Sequence, residues 1–400
     1  MDGSQTRPLQ AERPMTRALK PLAEQVIVIT GATSGIGLAT ARMAAERGAA
    51  VLAVARNESA LQALTEELRA KGARADHVVA DVGDPAQVKT VVSLADSLFG
   101  GFDTWVNDAG AAIYGQISDT PIEDQRRLFD TDYWGVVYGS LCAVERLKAR
   151  GQPAALINIG SVLSDQAIPV QGVYSAAKHA VKGFTNALRM ELMRAAPHIS
   201  VTLIKPSAID TPYKEHARNY LGHPAQNPPP VYDPALVAEA ILYAAEHRTR
   251  EITVGGGGRA LAVFGQLFPA LAEPLYAWLI PMLHKDRPSA HGRDSDNLRQ
   301  PGQDLSERAA TYPFVRRSSL YTRAQMNPRA TAAILAGVGI FAILAVAARS
   351  QIRVMQIKHT VRSHERERAK AREDKLKEKI QDVRAAAHKP QRSPFRSLGA

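Results

Sequence analysis

The chain has 400 residues, 45% of them hydrophobic, enough for one large domain with a buried core plus appendages, which excludes a fibrous or wholly disordered protein. Its single cysteine, Cys142, excludes an intrachain disulfide framework and a zinc site of several thiolates, which suits a reducing compartment; none of the 11 histidines pair at metalloprotease spacing, so no metal is assigned. The formal net charge of +11 belongs to a tail: residues 349–400 hold 15 Lys and Arg against 6 Asp and Glu, leaving about +2 for the rest, and the tail lacks the interleaved aromatics of a nucleic-acid binder.

Residues 1–24 contain no apolar run and read as a mobile leader, not a secretory signal. "EQVIVIT" (24–30) is a short apolar run that ends in glycines and leads into "IGLATARMAAERG", whose small and apolar residues recur at helical spacing until Gly48. The same strand and helix pattern returns as "AAVLAVA" with "NESALQALTEELRAKG", as "ADHVVADV" with "DPAQVKTVVSLADSLFG", and as "DTWVNDAG" with a helix near 122–149. "AALINIGS", a helix at about 172–195, "ISVTLIKP", a helix at about 234–247 opened by "DP", and "EITVGGGG" complete the series. Strands alternating with helices require crossover connections, so residues 25–258 are expected to form one α/β domain, a doubly wound parallel sheet of Rossmann type.

Beyond the glycine run the character changes. Residues 259–329 combine an apolar stretch, "LAVFGQLFPALAEPLYAWLIPML" (261–283), with a polar linker. "ATAAILAGVGIFAILAVAA" (330–348) then runs 19 residues without a charge between Arg329 and Arg349. At about 1.5 Å per residue it reaches nearly 30 Å, so it is a candidate transmembrane helix. The basic tail, 349–400, favours a solvated helix with attraction to anionic lipid.

"TGATSGIG" places Gly31, Gly35 and Gly37 between the first strand and first helix, where side-chain-free residues let backbone amides approach a pyrophosphate at the helix N-terminus. The second strand ends "AVARN", with Ala55 where an acid would hold the ribose of NAD and Arg56 following it, which favours NADP(H) over NAD(H). "YSAAK" puts Tyr174 and Lys178 four residues apart, on one helix face; such pairs are often mere surface packing. Their chemical interest is that a cation held close lowers a phenol's pKa from about 10 toward the working range of a general acid or base.

These motifs, with the "DV" at Asp81, the "NDAG" of 107–110 and Ser161 thirteen residues before Tyr174, occur in the order and spacing of the short-chain dehydrogenase/reductase family, which residues 25–258 resemble. The resemblance implies that Tyr174 exchanges a proton with a substrate oxygen, that Lys178 lowers its pKa and reaches the nicotinamide ribose, and that Ser161 orients the substrate oxygen. It implies a cofactor set of Gly31, Ser34, Gly35, Ile36, Gly37, Arg56, Asp81, Asn107, Gly110, Pro206, Ile209 and Thr211, together with Tyr174 and Lys178. Dimers or tetramers are usual in such proteins, so a homodimer or homotetramer is expected.

Three positions depart from the family pattern: Asp132 replaces the usual asparagine of a water relay beside the lysine, Asp108 replaces a second asparagine, and Ser207 replaces a glycine after Pro206. Asp132 is therefore counted with the catalytic candidates. The greasy 261–283 segment and the loop after Thr211 suggest a small hydrophobic carbonyl or alcohol as substrate. The expected protein is an NADP(H)-dependent oxidoreductase anchored to a membrane by its C-terminal helix, with its catalytic domain in the cytoplasm. The alternative is a membrane-anchored nucleotide-binding scaffold with weak or no catalysis. Placing the domain in the cytoplasm sends the basic tail across the membrane, against the positive-inside tendency.

Overall fold

The computed structural model describes residues 18–283, 296–302, 305–309 and 311–387, without the side chains of 335, 337–348, 350–361 and 385–387. The chain divides into two units, Met1–Asn327 and Pro328–Ala400.

In the first unit the elements follow in the order β1 Val26–Thr30, α1 Gly35–Glu46, β2 Ala50–Ala55, α2 Glu58–Ala70, β3 Ala75–Val79, α3 Pro85–Phe99 and β4 Thr104–Asn107. Next come β5 Ile113–Tyr114, α4 Ile122–Phe129, α5 Gly135–Arg150, β6 Ala154–Ile159, α6 Gly172–Ala195, β7 Ile199–Pro206 and β8 Arg218–Asn219. The unit ends with α7 Pro234–Glu246, β9 Glu251–Val254, α8 Gly256–Leu267, α9 Pro269–Met282 and α10 Leu320–Met326. Helix starts are set by side chains that accept from otherwise unpaired amides: Asn57 from Ala60 for α2, Asp84 from Ala86 for α3, Asp233 from Ala235 for α7.

Seven strands form one parallel sheet in the order β3-β2-β1-β4-β6-β7-β9. Every residue of β1 is buried, because both faces of the sheet are covered. Alternate side chains feed opposite layers: Ile27 and Ile29 pack with Leu38 of α1, Leu64 of α2 and Ile241 of α7, while Val26 and Val28 pack with Val91 of α3, Val144 of α5 and Leu188 of α6. Each such burial contributes about 1.5–3 kcal/mol. Strand order reverses between β1 and β4, and the crevice at the carboxyl ends of those strands is where such sheets bind ligands. A second, two-stranded parallel pairing, Ile113 with Arg218 and Tyr114 with Asn219, ties the loop after Thr211 to the segment that follows β4.

Where the sequence reads as a polar linker, the described residues 296–302, 305–309 and 311–327 pack against the domain; α10 buries Thr322, whose hydroxyl donates to the Thr253 carbonyl of β9. In the second unit, α11 runs from Pro328 to Ala387. The expected membrane-crossing helix is not found: among the described residues no helix is long and apolar enough to cross a membrane. The uncharged run 330–348 instead opens a 60-residue helix whose described side chains beyond it, 362–384, are mostly charged and exposed. Most of the side chains on which the expectation falls, 335 and 337–348, lie outside the described residues.

Candidate active site

The turn after β1 is built by its glycines. Gly31 has φ +75°, the left-handed region, and its amide donates to the Val54 carbonyl at 2.8 Å. A Cβ on Gly37 would stand 2.2 Å from the Gly31 carbonyl oxygen and 2.8 Å from Oδ2 of Asp108, so no side chain fits there. Ser34, just before α1, is extended and makes no side-chain capping bond, which leaves its hydroxyl on a cavity that Gly31, Gly35 and Ile36 also line. The helix N-terminus opens on that cavity, with the Gly35 amide bonded to the Ser306 carbonyl at 2.9 Å, and a terminus of this kind suits an anionic pyrophosphate.

At the far end of the same cavity stand Ser161, Tyr174, Lys178 and Asp132. Ser161 ends the run after β6 in extended conformation; its Oγ accepts from the Leu163 amide at 3.1 Å, and its own amide donates to Ser164 Oγ at 3.1 Å. This reciprocal capping holds the hydroxyl in place and leaves its proton available for another acceptor. Tyr174 and Lys178 share a face of α6, with the Lys178 Nζ 5.5 Å from the Tyr174 ring centroid. That Nζ donates to the Ile159 carbonyl at 3.3 Å and lies 3.1 Å from Oδ2 of Asp132.

Asp132 is fully buried, and its other oxygen accepts from the Ala111 amide at 2.6 Å. It reaches inward because Asp130–Trp134, between α4 and α5, is wound as a π-helix. Burial pushes the Asp132 carboxyl up, with Lys178 opposing. For Lys178, burial works against the charge, yet Asp132 and Tyr174 outweigh it and its pKa rises. Burial also raises Tyr174; Lys178 pulls it down and Asp132 pushes it up, while the Tyr213 and Ser161 hydroxyls favour the phenolate.

Asp108 is the second carboxylate of this cluster. Burial pushes it up to about 7, against the pull of Lys178 and the Gly37 amide. Its unfolded value is about 3.9, so the folded state retains a proton that the unfolded chain releases; this stabilisation is full below about pH 4 and is lost as pH rises through 7. Asp108→Asn, neutral at every pH, should therefore unfold later than the parent at pH 8 by about 4 kcal/mol and gain nothing at pH 4. Equal melting shifts at both pH values would contradict the assignment.

Most of the other sequence-derived candidates also reach the cavity: Arg56, Asp81, Gly110, Pro206, Ile209 and Thr211 line it. Asn107 does not. Its side chain turns into the sheet, donating to Asn158 Oδ1 at 2.8 Å and Ser140 Oγ at 3.1 Å and accepting from Trp105 Nε1 at 2.7 Å, because a buried amide in β4 must satisfy its own groups. Gly37 lies behind the lining as a packing position. Asp81 is held by Arg127 at 2.5 Å and by the Gly83 amide at 2.9 Å, so its carboxylate has partners within the chain. Two neighbours were not singled out from the sequence: Arg127, and Tyr213, whose ring meets that of Tyr174 edge-on at 5.6 Å. The tyrosine two residues after Thr211 was the available signal.

The short chain dehydrogenase family model matches residues 25–221. The uncharacterized oxidoreductase YxnA of Bacillus subtilis is 46% identical over 338 residues, 83% of this chain and 95% of that one. The chain belongs to the short-chain dehydrogenase family. It is an oxidoreductase of that family with a nucleotide-binding Rossmann-type sheet. Among solved structures, it is similar to a short-chain dehydrogenase/reductase from Burkholderia phymatum in complex with NAD, at TM-score 0.58 and 25% identity, covering 63% of this chain and 96% of that one. A short-chain type dehydrogenase/reductase from Mycobacterium marinum matches at TM-score 0.52 and 30% identity, covering 59% and 96%.

Proposed function

We propose that this short-chain dehydrogenase interconverts a carbonyl and an alcohol with NADP(H), on a small hydrophobic substrate. The observation that carries the reading is the meeting of Ser161, Tyr174 and Lys178 at one end of a cleft whose other end is a glycine turn and Arg56. The glycine turn and the amides of Ser34 to Ile36 would hold the pyrophosphate, Arg56 a 2′-phosphate, and Lys178 the nicotinamide ribose. A bound dinucleotide supplies the hydride in reduction and accepts it in oxidation. Tyr174 gives its hydroxyl proton to the carbonyl oxygen as that oxygen gains charge, and takes it back in the reverse direction. Lys178 stabilises the phenolate so formed, and Ser161 donates its free hydroxyl proton to the same oxygen and fixes its position. Leu163, Ile168, Pro212, Tyr213, Pro230 and Leu261 line this end and exclude water, which favours an apolar substrate body.

The test needs no substrate. Titration of the full chain with NADPH and NADH should show a preference for NADPH, and Arg56→Ala should reduce that preference by about 1.5–3 kcal/mol, the scale of a charge-assisted hydrogen bond. A variant that keeps the full preference would remove Arg56 from the phosphate site. A scaffold reading is favoured by one observation, that Arg56 and the Gly35 amide already bond within the chain. It would prevail if neither nucleotide bound to well-folded protein.

Membrane attachment through 330–348, with the dinucleotide domain on the cytoplasmic side, rests on the 19 uncharged residues alone. Release of the chain from membranes by alkaline carbonate would exclude it. A homodimer or homotetramer is proposed on family grounds.

A further inference from the structure

Residues 296–302 run along the mouth of the dinucleotide cleft, and ion pairs and hydrogen bonds fasten them to both walls. On the wall formed by the loop after Thr211, Asp296 pairs with Arg218 at 2.6 Å and the Asn297 amide donates to the His216 carbonyl at 2.8 Å. Leu298, almost fully buried, inserts beside Leu128 of α4, and its carbonyl accepts from Arg127 Nε at 3.0 Å. Arg299 pairs with Asp124 of α4 at 2.6 Å.

On the opposite wall the strap meets the ends of β2 and the start of α2. The Arg56 guanidinium donates to the carbonyls of Asn297, Arg299 and Gln300, and Asn57 Nδ2 donates to the Gly302 carbonyl. Farther on, the Gly35 amide donates to the Ser306 carbonyl at 2.9 Å and Glu307 pairs with Arg42 of α1 at 2.8 Å. Asn297, Pro301 and Gly302 are thus the outer lining of the cavity at its Arg56 and Asp81 end. The donors that hold the strap, Arg56 and the first amide of α1, are the ones a dinucleotide's phosphates require.

We propose that residues 296–302 are a strap that governs entry of the dinucleotide: the strap must leave Arg56 before the adenosine half of the cofactor can take its place. This rests on the reading of the cleft as an NADP(H) site. The fastening combines two partly exposed ion pairs with hydrogen bonds to backbone carbonyls and one buried apolar anchor, so it holds the strap closed while allowing it to open.

Stopped-flow fluorescence of NADPH with the full chain tests this, comparing the parent with an Asp296→Asn, Arg299→Ala double variant whose circular dichroism matches the parent's. Association is expected to quicken about tenfold, as two ion pairs are lost, while release changes little, so that the dissociation constant falls by about the same factor. Glu307→Gln, which frees the other end from Arg42, supplies a milder acceleration should the double variant fail to fold. NADPH that binds with parental rates in both variants overturns the strap and leaves the NADP(H) reading intact. Binding to neither parent nor variants overturns that reading and the strap with it; binding only to the loosened variants supports the strap.

Discussion

Tyr174→Phe should lower kcat for a carbonyl substrate about a thousandfold while leaving NADPH affinity nearly unchanged, the usual scale for loss of a positioned general acid. The change removes one oxygen. The ring keeps its edge contact with Tyr213 and its place on α6, and the Lys178 ammonium, Asp132 and Ser161 are untouched, so neither folding nor the glycine turn has cause to respond. What is lost is the hydroxyl that stands beside both a buried cation and the Ser161 hydroxyl. Residual turnover would come from the positioned hydroxyl of Ser161 and from binding. The measurement is a pair: steady-state rates with a carbonyl that the parent reduces, and a fluorescence titration with NADPH. A variant that keeps a tenth or more of parental kcat, an order-of-magnitude threshold, would remove Tyr174 from proton transfer.

Lys178→Met should be costly in a different way. Lys178 and Asp132 are both buried, and removing the ammonium leaves a carboxylate without its counter-charge, which costs about 3–5 kcal/mol of stability. The same change withdraws the charge that opposes the burial of Tyr174, so the phenol becomes still harder to ionise and activity falls as well. The two losses separate in a second variant. Asp132→Asn added to Lys178→Met removes the unpaired charge, so most of the stability should return while the activity does not. Urea unfolding at pH 7 reads the first and turnover the second. If the double variant is no more stable than Lys178→Met alone, the ion pair is not what holds this part of the core.

Much of this architecture is legible in the sequence because its causes are local. "VIVIT" and "AVLAVA" are short and continuously apolar, the first followed by a glycine turn and the second by the Asn57 cap, and they become β1 and β2; "DP" before α3 and α7 carries both the cap and the first-turn proline. The glycine turn and the Tyr174 and Lys178 pair are legible for the same reason, since four residues along a helix fix a shared face. Asn107 sits in a motif tied to cofactor binding, but its orientation is decided by Asn158 and Ser140, residues distant in sequence, and only the packed sheet brings them together. Residues 296–302 and 305–308 carry no hydrophobic period, and they are fastened largely through backbone carbonyls, which any residue possesses, so composition alone reads them as linker. The uncharged 330–348 run looks bounded by its flanking arginines, whereas the helix ignores them and continues to Ala387.

The π-turn at Asp130–Trp134 sets a limit on how this gene can change. A regular helix advances about 100° per residue, and the wide turn takes up one residue between α4 and α5 without passing that rotation on. Loss of a single codon within this turn would let the helix wind normally and leave α4 and α5 in phase, whereas a codon lost within α5 would rotate everything beyond it by about 100°. In the first case the carboxylate of Asp132 would leave Lys178; in the second the buried face of α5, with Ser140, Val144 and Leu147, would turn off the sheet. Substitutions along 122–150 can be absorbed one side chain at a time, and a shift in length only at the π-turn, where it costs the Lys178 partner and not the packing of α5.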